Sequence, residues 1–201
     1  MASTFLQLFM LITILVSCSL IKAELPTPVD AKTARKLLAE LTVKADSNTP
    51  AYDRAKFGKS WITTVLDRDG KNVKTDPKTC NPISGTWISP YDEPSAETNN
   101  ASKLDIDHVV PLKEAWVSGA KDWDDDQRII FANDLKRPQL VAVSDSQNRK
   151  KGSKADVTGY LPPRASFVCT YVRAWVHVKH HYGLTIDAAE EDTLKTELAK
   201  C

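Results

Sequence analysis

The 201-residue chain is poor in histidine and cysteine, with four of each, and it has almost no excess charge. Its 27 Lys and Arg face 26 Asp and Glu, a formal net charge of +1. No global basic excess points to nucleic acid, so any attraction to a polyanion must be local. Long apolar runs are scarce as well. The stretch from Phe5 to Leu20 is broken only by Gln7, Thr13, Ser17 and Ser19. Nothing after it is apolar and long enough to suggest a membrane span. Small residues and Ala23 follow the run, so residues 1–23 read as a secretory signal and 24–201 as the mature, secreted chain. No Lys or Arg precedes the run. "LVSC" at its end resembles a bacterial lipoprotein cleavage box, which makes an anchor the alternative. Losing Lys22 with the signal leaves 26 charges of each sign.

Internal repeats, low-complexity tracts and domain linkers are also missing. The mature length suits one domain with its own core. Three cysteines remain in it: Cys80, Cys169 and Cys201. Export makes disulfides expected. Cys169 opens a long helical segment and Cys201 closes the chain, so these two are the expected pair. Such a link adds about 3–4 kcal/mol in the chain-entropy account. Cys80 is left over, an anomaly in an exported protein.

Local patterns place the elements. Ala34, Leu37, Leu38 and Leu41 form a helical stripe. "TTVLDRDG" and "GTWISPYD" read as short strands between turn residues, and Leu104 to Val110 as another. "LKEAWVSGA" is a helical turn stopped by Gly119, and "DWDDDQRIIFANDL" a helix with acids in its first turn. Asp122, Asp124 and Asp126 are spaced like the start of a calcium loop, but no Gly at the sixth position and no Glu at the twelfth follow, which excludes that site. "PQLVAV" is a strand. In "SDSQNRKKG", Ser144 and Gln147 fit a capping box and Gly152 a helix stop. Phe167, Tyr171 and Trp175, with Val168, Val172 and Val176, make the core face of a long helix. A last helix closes the chain.

Chemistry centres on few residues. His177 and His181 are four apart on a helix, but metal motifs of that kind carry a Glu between the histidines, so a partly exposed helix face is the better reading. His108 ends the strand "LDIDH" beside Asp107, with Asp105 two residues earlier. Alternation puts Asp107 and His108 on opposite faces unless the strand ends there, and Pro111 makes an end plausible. As a lone feature His108 stays open between core residue, metal ligand and base. About 40 residues on, Asn148 is followed by Arg149, Lys150, Lys151 and Lys154, the densest basic cluster in the chain, which alone reads as a solvated helix end. Together these groups form one chemical set. A carboxylate and an amide oxygen are hard ligands for a divalent ion. A neutral imidazole is a base near neutral pH, and cations bind phosphate. The set suits phosphodiester hydrolysis.

"DIDHVVPL", then "FANDL", then "VAVSDSQNRKKG" resembles the HNH motif of the His-Me finger (ββα-metal) endonucleases. With "LPP", "CTYVRAW" and "VKHHYGL" in the same order, the chain is similar to the secreted HNH nuclease-like family of fungi and actinobacteria, from about Ala34 to Cys201. The resemblance implies an α+β single domain around a ββα-metal core at about 104–152, with flanking helices. It implies a secreted metal-dependent endonuclease acting on DNA, with RNA as the alternative substrate, and no stable membrane association. One divalent ion is implied, Mg2+ first, with Mn2+, Ca2+ or Zn2+ as alternatives. Asp107 and Asn148 would be its ligands and His108 the general base. Asn133 would be the middle asparagine that orients the histidine or pins its loop. Lys151 would contact phosphate, and Arg128 would be structural or phosphate-facing. Glu114 would be structural or support the site from behind. Relatives usually carry a segment with a Cys and a Thr-Arg pair after the tryptophan matching Trp61, and here "WITTVLDRDG" runs straight through. That missing cysteine would have been the partner of Cys80. The rival reading is a secreted binding or effector protein that keeps the fold without turnover.

Overall fold

The architecture is that of a computed structural model, which describes residues 25–58, 64–93, 97–152 and 156–201. The expected signal segment and the position beside Trp61 lie outside the described residues.

Two antiparallel sheets organise the strands. The first is the three-stranded β1 (Lys71–Thr75), β2 (Pro82–Ile88) and β3 (Glu97–Thr98). The second pairs β4 (Leu104–His108) with β5 (Leu140–Ser144), with Asp107 opposite Val141 and His108 opposite Leu140. Helix α5 (Asp145–Lys151) follows β5 directly, so β4, β5 and α5 form a ββα unit. Ser144 ends the strand and caps the helix, its hydroxyl accepting from the Gln147 amide. Gly152, at φ +64°, ends the helix, in the left-handed region where glycine is favoured. This sharp start and stop fixes Asn148 and Lys151 one turn apart.

The β4–β5 unit has two covered faces. On one, Val141 and Val143 join a core shared with α1 (Ala31–Glu40), α6 (Ala165–Tyr182) and α7 (Ala188–Ala199). In α1, Ala34 and Leu38 are buried, and Leu37 and Leu41 pack against the core. Tyr171, Val172, Trp175 and Val176 of α6 are fully buried. The other face carries Leu140 and Ala142 against Val65, with Leu66, Ile106 and Leu135 alongside.

Val65 and Leu66 belong to "TTVLDRDG", and that segment is a helix, not the expected strand: α2 spans Thr64–Asp69. Its end serves β5 through side chains instead of a ladder. Arg68 donates to the Leu140 carbonyl at 2.5 Å, and Asp69 accepts from the Ala142 amide at 2.8 Å. The open edge of β5 is covered by an ion pair, so no third strand is needed there. Short apolar runs do not separate helix from strand, and here contact with β5 decides.

Helices α3 (Leu112–Val117) and α4 (Asp125–Ala132) lie between the two strands of the unit. The acids before α4 work as a helix start: Asp124 accepts from the Gln127 amide at 2.7 Å. Cys169 and Cys201 are bridged as expected, tying α6 to the chain end.

A buried ion cluster joins α3, α6 and α7. The Lys179 ammonium donates to Glu114 at 2.6 Å, to Glu190 at 2.7 Å and to the Thr185 carbonyl at 2.9 Å. Trp175 also donates to Glu190. Burial pushes Glu190 up to about 7 against the pull of Lys179. Glu114 is therefore structural, holding helices together behind the ββα unit.

Candidate active site

Strand β4 ends at His108 because the chain after it is needed elsewhere. Gln139, fully buried, clamps the next two residues. Its carbonyl accepts from the Val109 amide at 2.7 Å. Its side chain accepts from the Val110 amide at 3.1 Å and donates to the Val110 carbonyl at 2.9 Å. Pro111 then starts α3. This leaves the carbonyls of His108 and Val109 turned inward, and Lys151 meets both, at 2.7 and 2.9 Å.

Asp107 and His108 do lie on opposite faces of the strand. Asp107 points to the main core, where Oδ2 accepts from Tyr91 at 2.6 Å and from Lys151 at 2.7 Å. Burial pushes this carboxyl above its usual range while Lys151 and Tyr91 pull it back. Burial likewise lowers Lys151 while Asp107 raises it. Nζ has three acceptors in reach, the Asp107 carboxylate and two carbonyls, which match the three donors of an ammonium.

His108 faces the end of α4. Its Nε2 lies 2.9 Å from the Ala132 carbonyl. A carbonyl only accepts, so Nε2 carries the proton and Nδ1 carries the lone pair. Burial pushes the imidazole down to about 4, the Ala132 bond opposes this, and the Lys151 and Arg54 charges reinforce it. The ring is therefore neutral at neutral pH.

Ala132 can offer its carbonyl because α4 stops there. Asn133 is the C-cap. Its amide N–H donates to the Ile129 and Ile130 carbonyls at 3.1 and 3.2 Å, and its side chain donates to Ile129 at 2.8 Å. Asn133 thus fastens the turn that holds the histidine and makes no bond to the ring itself.

The end of β4 opens onto a cleft of about 230 Å³. Asp107, His108 and Asn148 line it together, with Pro111 at the strand end and Arg54 and Arg149 beside them. Asn148 donates through Nδ2 to Asp105 at 3.1 Å, which turns the amide oxygen the other way. Asp105, two residues before Asp107, orients the amide. His177 and His181 are not among the residues lining this cleft. Among the described residues no group of three or more His, Cys, Asp and Glu is arranged to hold a metal.

Two expected phosphate contacts lie elsewhere. Lys151 is only 3% exposed, and its donors face Asp107 and the two carbonyls. Arg128 is 6% exposed and donates to the carbonyls of Ala120 and Trp123 and to Asp125, with its guanidinium over the Trp116 ring. Both cations hold the fold, because an inward-turned carbonyl needs a donor as much as a phosphate does. Arg54 is the cleft residue that sequence reasoning missed. It lies more than 50 residues before His108, in a short 3-10 helix with no motif around it. Arg149 was visible as part of the basic cluster.

Residues 59–197 match the family described as GmrSD restriction endonucleases, C-terminal domain. The chain belongs to this family. The match takes in β4, β5, α5, α6 and most of α7, and begins after α1. The domain is thus of the HNH nuclease type, on an α+β fold. An uncharacterized secreted protein of Arthroderma benhamiae is 43% identical over 213 residues, covering 100% of each chain. No solved structure matches.

Proposed function

We propose that the chain is a secreted nuclease that hydrolyses phosphodiester bonds of DNA, with RNA as the second candidate substrate, and that His108 is its general base. One observation carries the reading: the His108 imidazole, its tautomer set by the Ala132 carbonyl, lines the same cleft as Asp107 and Asn148. Export to the outside is supported by the full-length similarity to a secreted protein.

The donors suit a hard divalent ion. Asp107 and Asn148 offer oxygens, and two protein ligands with several waters are typical of Mg2+. Tyr91 and Lys151 engage Oδ2 of Asp107, so Oδ1 is the natural ligating atom. When bound, such an ion supplies electrostatic stabilisation of the charge that develops on the phosphate and the leaving oxygen. The residues do the rest. Nδ1 of His108 takes a proton from water, the water oxygen bonds to phosphorus, and the bond from phosphorus to the 3′-oxygen breaks. Asp105 keeps the Asn148 oxygen in place. Asn133 and Ala132 keep the ring from turning.

The rival, a binding protein without turnover, draws on the ion pair that already neutralises Asp107. The test is incubation of the purified chain with plasmid DNA and with RNA, with Mg2+ or Mn2+ and with chelator. Cleavage that needs the added ion supports the nuclease. Binding without cleavage under every metal supports the rival, and cleavage that survives chelation removes the metal from the account.

A further inference from the structure

With Lys151 and Arg128 committed to the fold, the proposed nuclease needs other cations to hold its substrate. Among the described residues lining the cleft, Arg54 and Arg149 are the two cations. Both are exposed, unlike Lys151. We propose that Arg54 and Arg149 are the side chains that hold the scissile phosphodiester against His108. The assignment rests on the nuclease reading and says which residues of that site bind its substrate.

Arg54 is held in place by packing. Its 3-10 helix, Arg54–Phe57, is capped by Asp53, which accepts from the Ala55 amide at 2.9 Å. Phe57 anchors the other end in an aromatic cluster, with ring centroids 6.2 Å from Trp116 and 6.3 Å from Phe131. Phe131 precedes Ala132, whose carbonyl holds His108. One cluster therefore positions both the proposed base and Arg54. Arg149 comes from α5, next to Asn148. Its pairing with Asp145 at 3.1 Å is a surface contact of a side chain 67% exposed, of a kind that contributes little and yields readily to a phosphate. Two guanidinium groups can each present paired donors to phosphate oxygens, which one buried ammonium cannot. They also supply the local positive charge that a chain of net charge +1 lacks overall.

The test uses the full mature chain and two substrates, a DNA duplex and bis(p-nitrophenyl) phosphate, a diester with no flanking phosphates. Arg54→Ala and Arg149→Ala are each expected to lower kcat/KM on both substrates by about tenfold or more, the loss of one charge-assisted contact. Arg54→Lys should recover part of it. The salt slope of DNA binding, measured in chelator, should fall by about 0.9 for each arginine removed. Lys150→Ala, an exposed cation of α5 outside the cleft, should leave the small diester unaffected. Melting temperatures of the two exposed-site variants should stay at the wild-type value. Retention of small-diester activity within about twofold in both Arg→Ala variants would overturn the assignment while leaving the nuclease reading intact. A wild-type chain that cleaves neither substrate under any divalent metal removes both.

Discussion

Lys151 closes on Asp107 at 2.7 Å inside the protein, and the same ammonium holds the backbone carbonyls of His108 and Val109. The helix after β5 is thereby fastened to the end of β4, so Asn148 and His108 are held in one frame. Removing either partner leaves a buried charge. Lys151→Met should lower unfolding free energy by about 3–5 kcal/mol, as broken buried pairs do. Urea denaturation measures it. A loss below about 1 kcal/mol would mean that the pair is not buried as described.

The C-cap at Asn133 should matter to chemistry more than to folding. Asn133→Ala removes the side-chain bond to Ile129 and loosens the turn that carries the Ala132 carbonyl. The expected result is a stability loss of about 0.5–2 kcal/mol, the usual size of a lost helix-cap or side-chain hydrogen bond, with kcat lowered and KM nearly unchanged. Steady-state kinetics beside thermal melting separate the two. A full-rate Asn133→Ala variant would exclude a role in holding His108.

Acid should weaken the fold partly through His108. Its folded-state pKa, about 4, lies below the ordinary value of 6.5. The unfolded chain therefore binds the proton more readily. The stability that this histidine contributes is complete above about pH 6.5 and declines as pH falls toward 4. Melting temperatures in chelator across that range should fall more steeply for the wild type than for His108→Gln. Parallel curves would contradict the buried, neutral ring.

The bridge from Cys169 to Cys201 closes a loop of 32 residues over α6 and α7. Cys201→Ser should cost about 2–4 kcal/mol of stability and leave the cleft chemistry unchanged. A large loss of activity at full stability would show a coupling between the chain end and the ββα unit that the contacts do not predict.

Much of this was legible in the sequence, and the exceptions share a cause. Ser144, Gly152 and Gly119 act locally, so their helix starts and stops could be read directly. The order Asp107, His108, Asn148 was legible because the motif runs continuously along two short segments. Lys151 was placed on the wrong side, and Arg128 was left open between fold and phosphate, because a cation beside a motif looks the same whether it turns outward to phosphate or inward to a carbonyl. Only the carbonyls freed at the end of β4 and before α4 decide that. α2 was read as a strand because its partner, the edge of β5, is some 70 residues away. Arg54 reaches the cleft through the packing of Phe57 on Phe131, a contact between distant segments with no sequence signal.

Single-turnover cleavage of a DNA duplex by wild type and His108→Ala, at saturating Mn2+ and neutral pH, tests the central claim most directly. The expected result is a rate lowered by at least about a hundredfold, the contribution of a general base, with DNA affinity in chelator unchanged. Equal cleavage rates for the two proteins would contradict the assignment of His108 as the base.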